Sequence, residues 1–178
     1  MVLFKIRIYN KQRILEDKIK STPFSVLVFG SGPKLEKYHK KRQDIIKRLK
    51  EEGFDAYTCE ELSKDIPSSV PATEQEVLQT ESADWLIFLD TSEGPLSELS
   101  NFCVIPSILK KAFVLYPAKY GKEETFSKAV LRNYPYTHAY KESQFTRCDL
   151  VPICLDTAKA LRRAKYLEVV PFIHTLEF

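Results

Sequence analysis

A three-layer α/β/α fold on a parallel sheet of five strands is what this amino-acid sequence predicts, and three observations carry it. Short apolar, β-branched runs (FSVLVF from 24, DWLIFLD from 84, AFVLYP from 112) alternate with longer segments of helical period. The runs are nearly free of polar residues, as strands covered on both faces are. At 178 residues the chain suits one domain spanning 1–178 rather than two. Strands alternating with helices in one domain pair in parallel, in the manner of flavodoxin- and Rossmann-like sheets.

Each element can be justified in turn. Residues 1–21 mix apolar and basic side chains and read as an N-terminal arm. FSVLVFGSGP is a buried strand halted by Gly-Ser-Gly-Pro. KLEKYHKKRQDIIKRLKEEG then sets Leu35, Tyr38, Arg42, Ile45, Ile46 and Leu49 along one helical side, with Gly53 as the C-terminal cap. FDAYTC is a second strand, and 60–72, rich in Pro, Ser and Thr, is a loop with at most a turn of helix. TEQEVLQTESA is helical, with Thr73 and Glu76 at capping-box spacing. DWLIFLD, the most hydrophobic run, is the central strand.

The next helix opens with Pro95 as its first residue, and Pro106 kinks or ends it. AFVLYP is a fourth strand, KEETFSKAVLRNY a helix and YTHAY a fifth, weaker strand. A helix over 148–167 is expected to break near Pro152. The apolar tail 167–178 reads as an added strand or a clasp onto another subunit.

Composition narrows the function. The net charge of +3 permits an anionic small ligand and does not suggest a nucleic-acid grip. The basic 34–50 helix is interleaved with Glu36 and Asp44, so direct nucleic-acid binding is disfavoured. No apolar run approaches membrane-spanning length, and charge interrupts MVLFKIRIYNKQR too often for a secretion signal. Four widely spaced cysteines (Cys59, Cys103, Cys148, Cys154), with no CxxC pair, read as reduced thiols of a cytoplasmic protein, several of them buried. No metal and no cofactor is expected.

In a parallel sheet, ligands bind beyond the carboxyl ends of the strands. That rule selects the loops at 30–33, 90–97 and 117–121. Gly30-Ser31-Gly32 offers close backbone approach to a ligand or simply a tight turn, and it lacks the GxGxxG and Walker patterns. Glu98, just inside a helix opened by Pro95, is placed where backbone N–H groups favour an ionised carboxylate. Such a group suits a nucleophile, although acidic residues are common in first helical turns. Glu76 serves as a cap or as a second carboxylate of the kind glycosidic cleavage needs. Asp90 is a third candidate at a strand end. Arg42, on an otherwise inward-facing stripe, needs a site carboxylate, a substrate phosphate or solvent as partner.

The succession VLVFGSG, Arg42-QDIIKRL, EQEVLQTESAD and LIFLDTSEGPLSELSNF resembles the nucleoside 2-deoxyribosyltransferase-like superfamily, which includes nucleotide N-glycosidases. The likeness spans residues 24–165. It is closest to the effector domains of this type in bacterial retrons, whose turn has the form SPGS-x-TELGAF against SEGPLSELSNF here. Two departures stand out. Pro95 and Leu96 replace the glycine-rich turn of the transferases, and Glu76 replaces their Asp.

The resemblance implies that Glu98 attacks an anomeric carbon while Glu76 holds sugar hydroxyls or manages the leaving-base proton. Gly30, Ser31, Gly32, Ser97 and Asp90 would line the sugar or phosphate site, with Arg42 toward an anionic group. It further implies a nucleoside or nucleotide substrate, a homo-oligomer and a defence-system partner protein. The rival readings are a TIR-like NAD glycohydrolase and a non-catalytic nucleotide-sensing module.

Overall fold

The computed structural model describes residues 2–89, 93–121 and 126–167, with side chains over 8–89, 98–120 and 128–167. The strands are β1 (Ser25–Phe29), β2 (Asp55–Tyr57), β3 (Trp85–Leu89), β4 (Ala112–Pro117) and β5 (Tyr136–Tyr140). They form one sheet in the order β2-β1-β3-β4-β5, parallel throughout. The expected three-layer α/β/α architecture is therefore present. All five residues of β3 are buried, which makes it the central strand in fact as well as in hydropathy.

Helices α1 (Val2–Lys20), α2 (Glu36–Glu51), α8 (Glu142–Thr146) and α9 (Leu150–Tyr166) belong to one side. Helices α3 (Cys59–Leu62), α4 (Ala72–Ser82), α5 (Glu93–Phe102), α6 (Pro106–Leu109) and α7 (Phe126–Leu131) cover the other. Alternation along the strands divides the core between them. Val26, Val28, Trp85, Ile87 and Leu89 face α2 and α9, while Leu27, Phe29, Leu86 and Phe88 face α5, α6 and α7. Phe29 stacks on Phe88 at 4.3 Å and meets Phe102 edge-on, fixing α5 to the strands beneath it.

Helix α2 ends as its sequence requires. Gly53, at φ +76°, donates to Lys50 O and Phe54 donates to Leu49 O, a Schellman motif on a glycine. At the amino edge, Asp84 accepts from Ser25 N at 2.9 Å and from Lys165 Nζ at 2.7 Å, tying β1, β3 and α9 together.

Five expectations need correction. The arm over 1–21 is a helix, α1, held against α9 by buried Ile19 and an Arg163–Glu16 ion pair. The capping box falls on Thr58 and Glu61 rather than Thr73 and Glu76: Glu61 N donates to Thr58 Oγ1 at 3.1 Å and Thr58 N to Glu61 Oε2 at 2.8 Å. Helix α4 instead starts after Pro71, leaving Thr73 inside its first turn. Helix α5 begins at Glu93, ahead of Pro95, and ends at Phe102; Pro106 then opens α6.

Pro152 breaks nothing, because α9 starts at Leu150 and the proline lies in the first turn, where no intrahelical N–H is lost. The break falls earlier, at Cys148, whose φ of +66° separates α8 from α9. All four cysteines are free, but only Cys154 is buried. The tail 168–178 and Asp90 lie outside the described residues. No described helix is long and apolar enough to cross a membrane.

Candidate active site

Glu98 is positioned by the core below it. Leu99 and Phe102 are buried at 0% and 2% exposure, and the Tyr134 hydroxyl donates to Leu99 O at 2.5 Å. Glu98 lies four residues before Phe102, so it shares that inward stripe at its upper end, half-buried above the carboxyl edge of β3. Glu76 has the equivalent place on α4, where Gln79 and Thr80, one turn on, are buried.

Glu98 lies within reach of the charge of Glu76. Burial, then the charge of Glu76, pushes the Glu98 carboxyl up to about 7, with Arg42 opposing and Glu60 adding to the rise. Burial and then the charge of Glu60 raise Glu76. Among the described residues, Glu98 Oε2 is buried with no hydrogen-bond partner. This reverses the expected cause. Glu98 is the sixth residue of α5, beyond the first turn where exposed N–H groups act, and desolvation beside Glu76 dominates over any dipole effect.

Arg42 organises the neighbouring loop. Its guanidinium crosses the end of β1 from α2 to α3, donating from Nε to Val28 O at 2.9 Å and from Nη1 to Gly30 O at 3.2 Å. It then grips Glu60 in a fork, at 2.9 Å through Nη1 and 2.6 Å through Nη2. Of the partners foreseen for Arg42, the structure supplies a protein carboxylate. Burial is the largest single influence on Glu60 and would raise it, but the Arg42 hydrogen bonds and charge, together with backbone and Thr58 hydrogen bonds, outweigh it and hold its carboxyl at about 2. The Arg42 side chain is 3% exposed and that of Glu60 64%, so the arginine is buried beneath a carboxylate that reaches solvent.

Gly30 sits in close approach to its neighbours. A Cβ there would meet Leu89 Cβ at 3.3 Å and Arg42 Cδ at 3.5 Å, while Gly32 faces open space. Ser31 is buried. The Ser97 side chain, like Asp90, lies outside what is described.

The structure thus brings Glu98, Glu76 and Arg42 to one edge beside Gly30, and adds Glu60, which the sequence reading assigned to a loop. Its signal was the Thr-x-x-Glu spacing of TCEE, a helix start placed at the carboxyl end of β2. Cys59 shares the cluster; burial and the charges of Glu98 and Glu60 raise its thiol and keep it protonated. A cavity of about 460 Å³ opens over the ends of β4 and β5, between Tyr38, Tyr120, Tyr140, Lys119 and Lys141. The loop at 117–121 selected from the sequence forms one of its walls. Among the described residues, no group of three or more His, Cys, Asp or Glu is arranged to hold a metal ion.

No protein-family model matches the chain, and no curated protein matches it either.

Proposed function

We propose that this chain cleaves the N-glycosidic bond of a nucleoside or nucleotide, or transfers its sugar, with Glu98 as the nucleophile. The observation that carries the reading is the Glu98–Glu76 pair: two interacting carboxyls, both raised, one with a buried and unpartnered oxygen, at the carboxyl edge of the central strand. Glycosidic chemistry of the retaining kind uses two such groups in different roles.

The ionised Glu98 carboxylate attacks the anomeric carbon through an oxocarbenium-like transition state. The carbon–nitrogen bond breaks, and its electron pair leaves with the base, which takes a proton from solvent, while the ionised Glu76 holds the sugar hydroxyls. Water then gives its proton through Glu76 to solvent and attacks the glycosyl-enzyme, releasing sugar and the Glu98 carboxylate. A second base in place of water gives transfer. Arg42, spent on Glu60 and two backbone carbonyls, fixes the Gly30–Gly32 loop rather than the substrate.

The test is incubation of the purified protein, beside Glu98→Gln, with nucleosides, their mono- and triphosphates and NAD, with free base read by chromatography. Wild type is expected to release base from at least one of these, and the variant to be slower by roughly a thousandfold. A Glu98→Gln protein of undiminished activity rules the nucleophile out. Nucleotide binding without base release from wild type favours the sensing module instead.

A further inference from the structure

A second cavity, of about 390 Å³, lies on the α4 side of the sheet toward its amino edge. Its floor is β1 and the edge strand β2, and its walls are α4, the end of α3 and the 3₁₀ turn Ser63–Asp65. The side chains of Leu27, Tyr57, Leu62, Ile66 and Leu78 make most of it apolar. This is the make-up of a small-molecule pocket: a hydrophobic body with a few polar groups.

The charged groups are of one sign. Asp55 and Asp65, both exposed, are the charged residues among those that line it, and neither Lys nor Arg is included. The Ser25 hydroxyl donates to Asp84 Oδ2 and the Ser82 hydroxyl to Leu78 O, so both protons are spent within the protein. Gln79, 5% exposed, is oriented by a relay: Ser63 Oγ donates to Cys59 O at 2.9 Å and accepts from Gln79 Nε2 at 3.0 Å. With Ser63 Oγ accepting from Nε2, Gln79 Oε1 is a buried acceptor without a partner among the described residues.

We propose that this cavity binds a small amine, an apolar body carrying a primary ammonium, with Asp55 and Asp65 taking its charge. The site is separate from the carboxylate cluster, although the two share walls. Gln79 lies one turn after Glu76, a rise of ~4.5 Å along α4, and Ser63 lies three residues after Glu60. The Ser63–Gln79 bond joins the two helical segments between them. The proposal does not depend on the glycosidic reading.

The test is calorimetric titration of the full chain near neutral pH and at low salt, using phenethylamine and tryptamine beside their neutral counterparts phenethyl alcohol and tryptophol. At least one amine is expected to bind with a Kd of roughly 1 mM or tighter, and its alcohol about tenfold more weakly. Asp55→Asn with Asp65→Asn, both at exposed positions, should remove that preference and leave alcohol binding unchanged. Glu76→Gln with Glu98→Gln should leave amine binding as it was. Failure of both amines to bind, equal binding of amine and alcohol, or loss of binding through Glu76 and Glu98 rather than Asp55 and Asp65 would each overturn the proposal.

Discussion

Glu98 holds a proton that an ordinary glutamate would have lost, and this has a cost that can be measured without any substrate. Its folded value of about 7 exceeds the usual 4.5, so between those two pH values the folded chain binds more protons than the unfolded one. Stability from this group is fully present below the lower value and is lost as pH rises through the window. Glu98→Gln cannot ionise. It should match wild type near pH 4 and exceed it by ~1–3 kcal/mol near pH 8 in urea or thermal unfolding; equal stability near pH 8 would contradict the burial argument. In catalysis the same ionisation should give base release an acid limb centred near 7, since the attacking form is the carboxylate. The identity of Glu98 was legible in the sequence from its place after the central strand. Its state was not, because that depends on Glu76 approaching from another helix and on α5 beginning two residues before Pro95.

Single residues at the ends of elements hold the site's supports in place. Gly53 at φ +76° is one such point, and Gly53→Ala should cost about 1 kcal/mol, read as a lower urea midpoint with unchanged slope. Thr58→Ala removes the capping box that starts α3 and should cost ~1 kcal/mol. It should also loosen Glu60 and so slow base release, whereas Gly53→Ala should leave base release unaffected. Periodicity made α2, β1, β3 and β4 legible, because their buried faces repeat at 3.6 or form unbroken apolar runs. Helix α1 was not legible in that way: its charges fall every second or third position, and it is fixed by packing on α9. Thr73-x-x-Glu76 and Thr58-x-x-Glu61 carry the same spacing, and only the second caps a helix, because Pro71 already starts α4 ahead of Thr73.

At the scale of the molecule, one parallel sheet divides two cores, and the site sits where both meet the carboxyl edge. Leu86 and Ile87 are neighbours on β3, each 0% exposed, and they serve opposite cores. Leu86→Ala and Ile87→Ala should each cost about 2–5 kcal/mol within a single unfolding transition. A biphasic curve for either would mean that the two faces fold separately. Fold class was the most legible property of all, since alternating strands and helices leave few arrangements of a chain this long. The site was legible only as far as one strand end. Arg42 reaching across β1 to Glu60 is a contact between two elements 18 residues apart, and no local pattern announces it.

The measurement that bears most directly on the account is a carbon-detected NMR titration of the Glu98 carboxyl, in wild type and in Glu76→Gln. The paired-carboxylate site predicts a midpoint near 7 in wild type and a lower one once the Glu76 charge is removed. A midpoint in the ordinary glutamate range, unmoved by the substitution, would mean that the two carboxyls do not form one site.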